Sequence, residues 1–225
     1  MVGQGREARA YLAGRGLEDT VLRTFRIGFA PDDRHALKTH LANKGVSPER
    51  MIEAGLLVAG EDVSVPYDRF RNRIIFPIRD GRGRVIAFSA RILGAGEPKY
   101  LNSPDTPLFD KGRTLFNLDK AAAAAREAGR IVVVEGQMDV IALDQAGIGE
   151  AVAPLGTALT EAQLGLLWRY SPSPLLCFDG DAAGRKAAVR AALRALPQVG
   201  PGRSLGFVTL PTGEDPDDLI RSRGR

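Results

Sequence analysis

From residue 118 onward the chain alternates short, wholly apolar segments with helix-like ones, and this rhythm restricts its fold more than any other feature. LDKAAAAAREAG reads as a helix, IVVVEG as a strand and QMDVIALDQAG as a helix. A short strand near EAVAPLG follows, then the helix LTEAQLGLLWRY, the strand LLCFDGD, the helix AAGRKAAVRAALRAL and the strand SLGFVTLP. Continuous Val/Ile/Leu strands separated by helices predict a parallel sheet covered on both faces. In such a sheet the ligand crevice lies at the carboxyl ends of the strands. The residues that close those strands are therefore the first places to look for function.

Those ends carry acids. Glu135 ends one strand, Asp179 and Asp181 end another, and Asp215 and Asp217 follow a third. Residues i and i+2 of an extended segment point to the same side, so each Asp-x-Asp pair is expected to offer two carboxylates to one ion. Such a cluster repels itself at neutral pH without cations, and hard oxygen ligands select Mg²⁺ or Mn²⁺. Ions held this way stabilise the attacking and leaving oxygens of phosphoryl transfer. Each piece also has a plainer reading: Glu-Gly as a turn, DGD as an Asx turn, EDPDD as an acid-rich helix start. Asp139 is a secondary candidate, because it falls in the first turn of a helix, where the dipole alone favours an acid.

The first half is organised differently. ARAYLAGRG, DRHALKTHLANKG and SPERMIEAGLL read as short helices, with Gly16 and Gly45 as stops and Ser47-Pro48 as an N-cap followed by proline at the first helical position. RIIFPIR and RVIAFSARI flank DGRG, a hairpin centred on Asp-Gly. EPKYLNSPDTPLFDKGRTLFNL has no sustained period, and a stretch this long is either disordered or functional; its embedded Tyr100, Leu101, Leu108, Phe109 and Phe116 argue for order. The net charge is only +4, but it is unevenly placed. Residues 69–91 hold seven arginines and one acid, Asp80, whereas Glu214–Asp218 hold four acids and no base. A basic flank beside a carboxylate cluster suits a phosphate polymer and a metal site; a solvated basic face is the alternative.

No apolar run is long enough to span a membrane, and the first residues lack the apolar core of a secretory signal, which points to the cytoplasm. Cys177 is the single cysteine and sits in the apolar run LLCF, where a buried thiol is expected. With His35 and His40 as the two histidines, the chain has no zinc-ligand set. No GxxxxGK[ST] phosphate loop occurs.

The segments EGQMDVIALDQAG, DGDAAGRKAA and LPTGEDPDDLI resemble the Toprim domain of bacterial DnaG-type primases. YLAGRGL, FRIGFAP, RNRIIFPIRDGRGRVIAFSARIL, PKYLNSPDTPLFDKGRTLFNL and APLGTALT are similar to other primase core segments, in the same order. The resemblance covers nearly the whole chain. It implies an α/β protein with a smaller mixed α/β basic subdomain over residues 1–117 and a Toprim-type parallel sheet flanked by helices over 118–225. It implies an enzyme that builds short RNA primers on single-stranded DNA from ribonucleoside triphosphates in the bacterial cytoplasm. By the same resemblance Glu135, Asp179 and Asp181 are catalytic, and these three with Asp215 and Asp217 hold the divalent ions. Arg15, Arg91, Lys99 and Lys111 match basic positions that meet template or nucleotide phosphates, and Arg73 and Arg113 are further candidates for such contacts. Tyr100 is a candidate to stack on a base or sugar, or a core aromatic, and Asn102 to bond phosphate, or to shape a turn. Gln137 departs from the aromatic common at that position. The family's zinc ribbon, helicase-interacting part and further helical region are not expected here, so helicase and single-strand-binding-protein contacts are assigned to regions outside this chain. Another Toprim enzyme, a nuclease or topoisomerase subunit, and an inactive single-strand-binding fragment are the competing readings.

Overall fold

Local capping signals explain where the first helices begin and end. In the computed structural model, which describes residues 2–156 and 158–223, α1 spans Val2–Gly14 and α2 Asp19–Phe25, with Gly16 between them at φ 75°. (Thr157, within APLGTALT, is outside the described residues.) Helices α3 (Ala36–Ala42) and α4 (Pro48–Glu53) are separated by Gly45 at φ 79°. Ser47 caps α4 by accepting a hydrogen bond from the Arg50 N–H at 3.4 Å, with Pro48 directly after it. Strand β1 is Gly28–Ala30, and β2 (Leu57–Val58) pairs antiparallel with β3 (Tyr67–Asp68).

Strands β4 (Arg73–Arg79), β5 (Val85–Ile92) and β6 (Tyr100–Asn102) join β1 in a sheet of order β1-β4-β5-β6. The registers Gly28↔Ile75 and Arg91↔Tyr100 are both antiparallel. Ile74, Phe76 and Ile78 alternate along β4 and are fully buried, as a strand with one apolar face requires. The hairpin between β4 and β5 differs from a two-residue Asp-Gly turn. The left-handed conformation falls on Gly83 (φ 77°), not Gly81, and the Asp80 carboxylate accepts from the Arg82 and Arg84 N–H groups. Asp80 is thus the Asx residue that shapes a longer loop.

The chain forms two compact units, residues 1–78 with 85–110, and residues 79–84 with 111–225. The second unit contains α5 (Leu118–Ala128), β7 (Val132–Val133), α6 (Gln137–Gln145), β8 (Ala151–Val152), α7 (Glu161–Leu167), β9 (Leu175–Cys177), α8 (Ala182–Ala195), β10 (Gly206–Val208) and α9 (Pro216–Arg223). Its four strands are parallel in the order β10-β9-β7-β8. This is the helix-flanked parallel sheet that the alternating rhythm predicts. Its core gathers Leu115, Ala121, Ile131, Val133, Val152, Leu164, Leu167 and Leu176. Helix α6 is buried from Gln137 to Leu143 without a polar face and packs against β8 and α9. No helix is long and apolar enough to cross a membrane.

Side chains at the start of α7 fix the backbone that leads into this unit. Thr160 and Gln163 form a reciprocal capping box, and the fully buried Gln163 amide donates to the Lys111 and Thr114 carbonyls at 3.0 and 2.8 Å. Asn117, at φ 68°, donates to the Ala151 carbonyl at 3.0 Å, and Phe116 bridges Ala153.

Two glycines permit backbone-to-backbone contact where the strand ends meet the turns. A Cβ on Gly180 would lie 2.0 Å from the Pro211 carbonyl oxygen, and one on Gly184 would lie 2.1 Å from that of Asp179. Such overlap cannot be relieved by a side-chain rotation. Gly184 stands inside α8, where Ala ordinarily stabilises a helix by about 1 kcal/mol over Gly. Gly184→Ala is nonetheless expected to destabilise the protein, by roughly 1–3 kcal/mol, in urea unfolding. A gain in stability would show that the backbones are not held this close.

Candidate active site

Glu135 lies two residues beyond β7 and Asp179 two beyond β9. Because β7 and β9 are adjacent and parallel, with Val133 level with Leu176, the two acids emerge side by side. The Asp179 N–H donates to Glu135 Oε1 at 3.0 Å. The third acidic segment is brought in by backbone contact, since the Gly180 N–H donates to the Glu214 carbonyl at 2.9 Å. The glycine at 180 that allows this approach belongs to the same DGD turn as the two aspartates.

Local geometry differs from the extended Asp-x-Asp picture. Asp181 is the N-cap of α8 and its carboxylate accepts from the Gly184 N–H at 2.8 Å. Asp215 accepts from the Asp218 N–H at 2.7 Å, and Asp217 lies in the first turn of α9, 1% exposed and 4.0 Å from Arg221. The acids therefore converge because two helices start there, not because alternate residues of a strand share a face. The helix N-termini partly offset the concentrated negative charge.

The charges feel one another strongly. Burial, then the negative charges of Asp215, Asp179 and Asp217, pushes Asp139 up to about 7. Burial, then Glu135, Asp215, Asp181 and Asp218, pushes Asp179 up to about 6. Glu135 is also raised, chiefly by burial, with the Asp179 N–H and the Arg190 charge opposing. Asp139 thus belongs to the cluster electrostatically as well as serving α6, where its Oδ2 accepts from the Gly136 N–H at 3.1 Å. The sequence undervalues it, because a first-turn acid has a sufficient local explanation. Asp218, Glu214 and Arg190 go unremarked as individual site residues in the sequence, and only the tertiary arrangement brings out their roles.

The donor set fits a hard divalent ion in charge. Asp179 Oδ1 and Glu214 Oε2 are buried oxygens without a hydrogen-bond donor, and carboxyls such as Asp139 and Asp179, raised by burial and then by neighbouring acids, are what a cation would relieve. Among the described residues no group of three or more acids, histidines or cysteines stands close enough together to hold a metal ion. Mg²⁺ is commonly held by one or two carboxylates, with water and substrate phosphates completing its shell. Cys177, beside the cluster, is buried and its thiol is pushed up to about 11 by burial and then by Asp139 and Asp179, so it stays protonated and unreactive.

The basic candidates separate by partner. Arg73 is 6% exposed and donates to the Pro98 carbonyl at 2.8 Å, so it holds the chain from within. Arg69 grips the Asn102 carbonyl through two donors at 3.2 and 3.0 Å, fixing the strand on which Tyr100 and Asn102 lie. Arg71 donates to the Asp68 carbonyl and stacks on Tyr67, Arg79 pairs with Asp119 at 3.6 Å, and Arg84 pairs with Asp80 at 2.7 Å. The basic stretch thus has largely internal roles, which neither a phosphate-binding face nor a solvated one anticipates. Ser103 is buried and its hydroxyl accepts from the Phe88 N–H. Lys99 and Arg113 are exposed and Lys111 is half-buried. Arg15 follows α1, its N–H donating to the Tyr11 carbonyl at 3.0 Å. Arg91 donates to Tyr100 Oη at 2.8 Å. Lys111 and Arg113 share the second unit with the acids; Arg15, Arg73, Arg91, Lys99, Tyr100 and Asn102 belong to the first.

A cleft of about 390 Å³ in the first unit, lined by Phe29, Leu37, Phe70 and Phe88, contains none of these residues. The Asp68 carboxylate at its wall is already occupied by the Leu37 and Lys38 N–H groups.

Comparison with known proteins adds a second line. Residues 2–122 match the family described as DNA primase catalytic core, N-terminal domain, and residues 129–200 match the Toprim domain. The chain is 52% identical over 214 residues to a DNA primase of Pseudomonas aeruginosa, covering 95% of this chain and 32% of that protein. It is 49% identical to the DNA primase of Escherichia coli K12, covering 97% and 37%. The chain therefore spans about a third of the length of these relatives. Among solved structures, a primase domain from Pseudomonas aeruginosa superposes with a TM-score of 0.91 at 52% identity, covering 97% of this chain and 68% of that one. The Escherichia coli primase catalytic core gives 0.88 at 49%, covering 99% and 71%. A DnaG primase catalytic domain bound to single-stranded DNA gives 0.87 at 48%, covering 99% and 69%.

The raised carboxyls make a pH prediction. Asp139 and Asp179 bind protons in the folded state at pH values where the unfolded chain, with carboxyls near 4, does not. Between about pH 4 and pH 7 the folded state therefore holds more protons, and stability falls as pH rises. Without divalent ions, the melting temperature is expected to drop from pH 5.5 to 8. Asp139→Asn flattens that slope, and added Mg²⁺ raises the pH 8 value most. A melting temperature that rises over this range would contradict the cluster.

Proposed function

Because this chain belongs to the family of bacterial DNA primase catalytic cores, with the family's N-terminal core domain followed by a Toprim domain, we propose that it carries the nucleotidyl-transfer centre of such a primase. Its reaction is template-directed synthesis of short RNA primers on single-stranded DNA from ribonucleoside triphosphates. The observation that carries this reading is the convergence of Glu135, Asp139, Asp179, Asp181, Asp215 and Asp217 on one edge of a parallel sheet, with burial and then mutual repulsion lifting Asp139 and Asp179. The DNA-bound relative supports a single-stranded template.

In the chemistry we infer, the 3′-oxygen of the growing primer attacks the α-phosphorus of the incoming nucleotide, and pyrophosphate leaves. Asp179, Asp181, Asp215 and Asp217 would hold Mg²⁺ or Mn²⁺, which when bound would neutralise the charge that builds on phosphate oxygens. Glu135, raised by burial and bonded to the Asp179 N–H, is the carboxyl suited to hold a proton beside the reacting oxygens. Its bond to the Asp179 backbone also keeps the two strand ends in register. Lys111 and Arg113 share a loop whose backbone Gln163 anchors, which suits cations that must meet phosphate at a defined place. Lys99 and Arg91 lie at the β5–β6 end of the first unit and contact template or nucleotide phosphate. The residues 1–117 and 118–225 act as the basic and Toprim subdomains. In the bacterial cytoplasm, replicative helicase and single-strand-binding protein would be met through other parts of a full-length primase.

The test is primer synthesis from a single-stranded template with Mg²⁺ or Mn²⁺, alongside oligonucleotide binding. Asp179→Asn is expected to lower synthesis by on the order of 100-fold or more while DNA affinity stays within about twofold. Synthesis that survives this change, or that proceeds equally in a chelator, would contradict the assignment.

A further inference from the structure

Arg91 differs from its neighbours in the basic stretch. Arg69 and Arg73 donate to main-chain carbonyls, and Arg79 and Arg84 pair with aspartates. Arg91 has neither kind of partner among the described residues. Its guanidinium carbon lies 4.9 Å from the centre of the Tyr11 ring and 5.4 Å from that of Tyr100, and it donates to Tyr100 Oη at 2.8 Å. Tyr100 is its cross-strand partner, so that contact is fixed by the β5–β6 register. Tyr11 comes from α1, about eighty residues away in sequence. A partly exposed cation held by two aromatic faces keeps its charge uncompensated while losing much of its rotamer freedom. That is a preorganised site for an external anion.

The Tyr11 hydroxyl sharpens the case. Its Oη is buried without a hydrogen-bond partner, so it contributes nothing to the contact and costs some desolvation. What Tyr11 supplies is its ring.

We propose that Tyr11 is a positioning residue: its ring orients the Arg91 guanidinium toward a phosphate group of template or nucleotide. This rests on the reading of Arg91 as a phosphate contact given above. Arg91 would then owe its direction to α1 as much as to its own strand, and the first helix would be part of the binding machinery.

The test uses Tyr11→Leu, Tyr11→Phe, Arg91→Ala and the double variant Tyr11→Leu/Arg91→Ala. Affinity for a labelled oligodeoxythymidylate is measured by anisotropy over a range of salt, and affinity for ATP with Mg²⁺ by calorimetry. These two arms tell whether the phosphate belongs to template or nucleotide. Tyr11→Leu is expected to weaken one of them by roughly three- to tenfold, with Tyr11→Phe within twofold of the parent. Arg91→Ala weakens the same ligand at least as much and lowers the salt slope by about 0.7 for single-stranded DNA. In the Arg91→Ala background Tyr11→Leu has no further effect, whereas a merely structural role would cost the same in both. If Tyr11→Leu is unfolded, Tyr11→Met, which fills similar space without a ring, takes its place. Parental affinity in folded Tyr11→Leu or Tyr11→Met beside a weakened Arg91→Ala overturns the inference alone. Full affinity in Arg91→Ala overturns the reading of Arg91 and the inference with it.

Discussion

Carboxylates crowded at the edge of a parallel sheet repel one another, and the rest of the second unit is arranged so that they stay together nonetheless. The attraction that holds them is not between the acids. It is main-chain contact: the Gly180 N–H bound to the Glu214 carbonyl, Asp179 N–H bound to Glu135, and glycines at 180 and 184 that leave no room for a side chain. Backbone of this kind cannot drift apart to relieve charge. Burial and, after it, the neighbouring negative charges therefore appear as proton uptake at Asp139 and Asp179 rather than as separation. A divalent cation would remove the strain without moving the chain, and this is the physical basis of the proposed metal site.

A second constraint runs through the arginines. Counting charge along residues 69–91 suggests a basic surface, yet most of these guanidiniums serve carbonyls, aspartates or an aromatic ring within the fold. A guanidinium suits this work because it stays charged and presents several donors in a plane. The consequence for function is that few of the arginines remain directed outward. Arg82 is exposed, and Arg91 is the one whose guanidinium lies over two aromatic rings.

Much of the second unit was legible because its signals are local and mutually consistent. Apolar strands of two or three residues between helix formers leave little choice but a parallel sheet, and the acids at the strand ends follow from that topology. The first-half helices were legible through Ser47, Pro48 and the stopping glycines. β1, inside FRIGFAP, is too short to show a period, and it exists because β4 offers it a partner. The hairpin across DGRG was legible from its Asp-Gly centre, but the loop's internal shape was not, because Asp80's own side chain sets it by accepting from the Arg82 and Arg84 N–H groups. Asp139 and the helix starts at Asp181 and Asp215 were legible as acids but not as a converging set of helix caps. That depends on where α8 and α9 begin in space, which spacing along a chain does not encode.

The match to the Toprim domain covers residues 129–200, which include Glu135, Asp139, Asp179 and Asp181 of the acidic cluster. The most direct examination of that cluster is an anomalous-difference map from a crystal of this chain soaked in manganese. The account predicts a peak within about 2.3 Å of carboxylate oxygens of Asp179 and at least one of Asp181, Asp215 and Asp217. A map with no manganese among these acids, with the ion bound elsewhere on the chain, would contradict it.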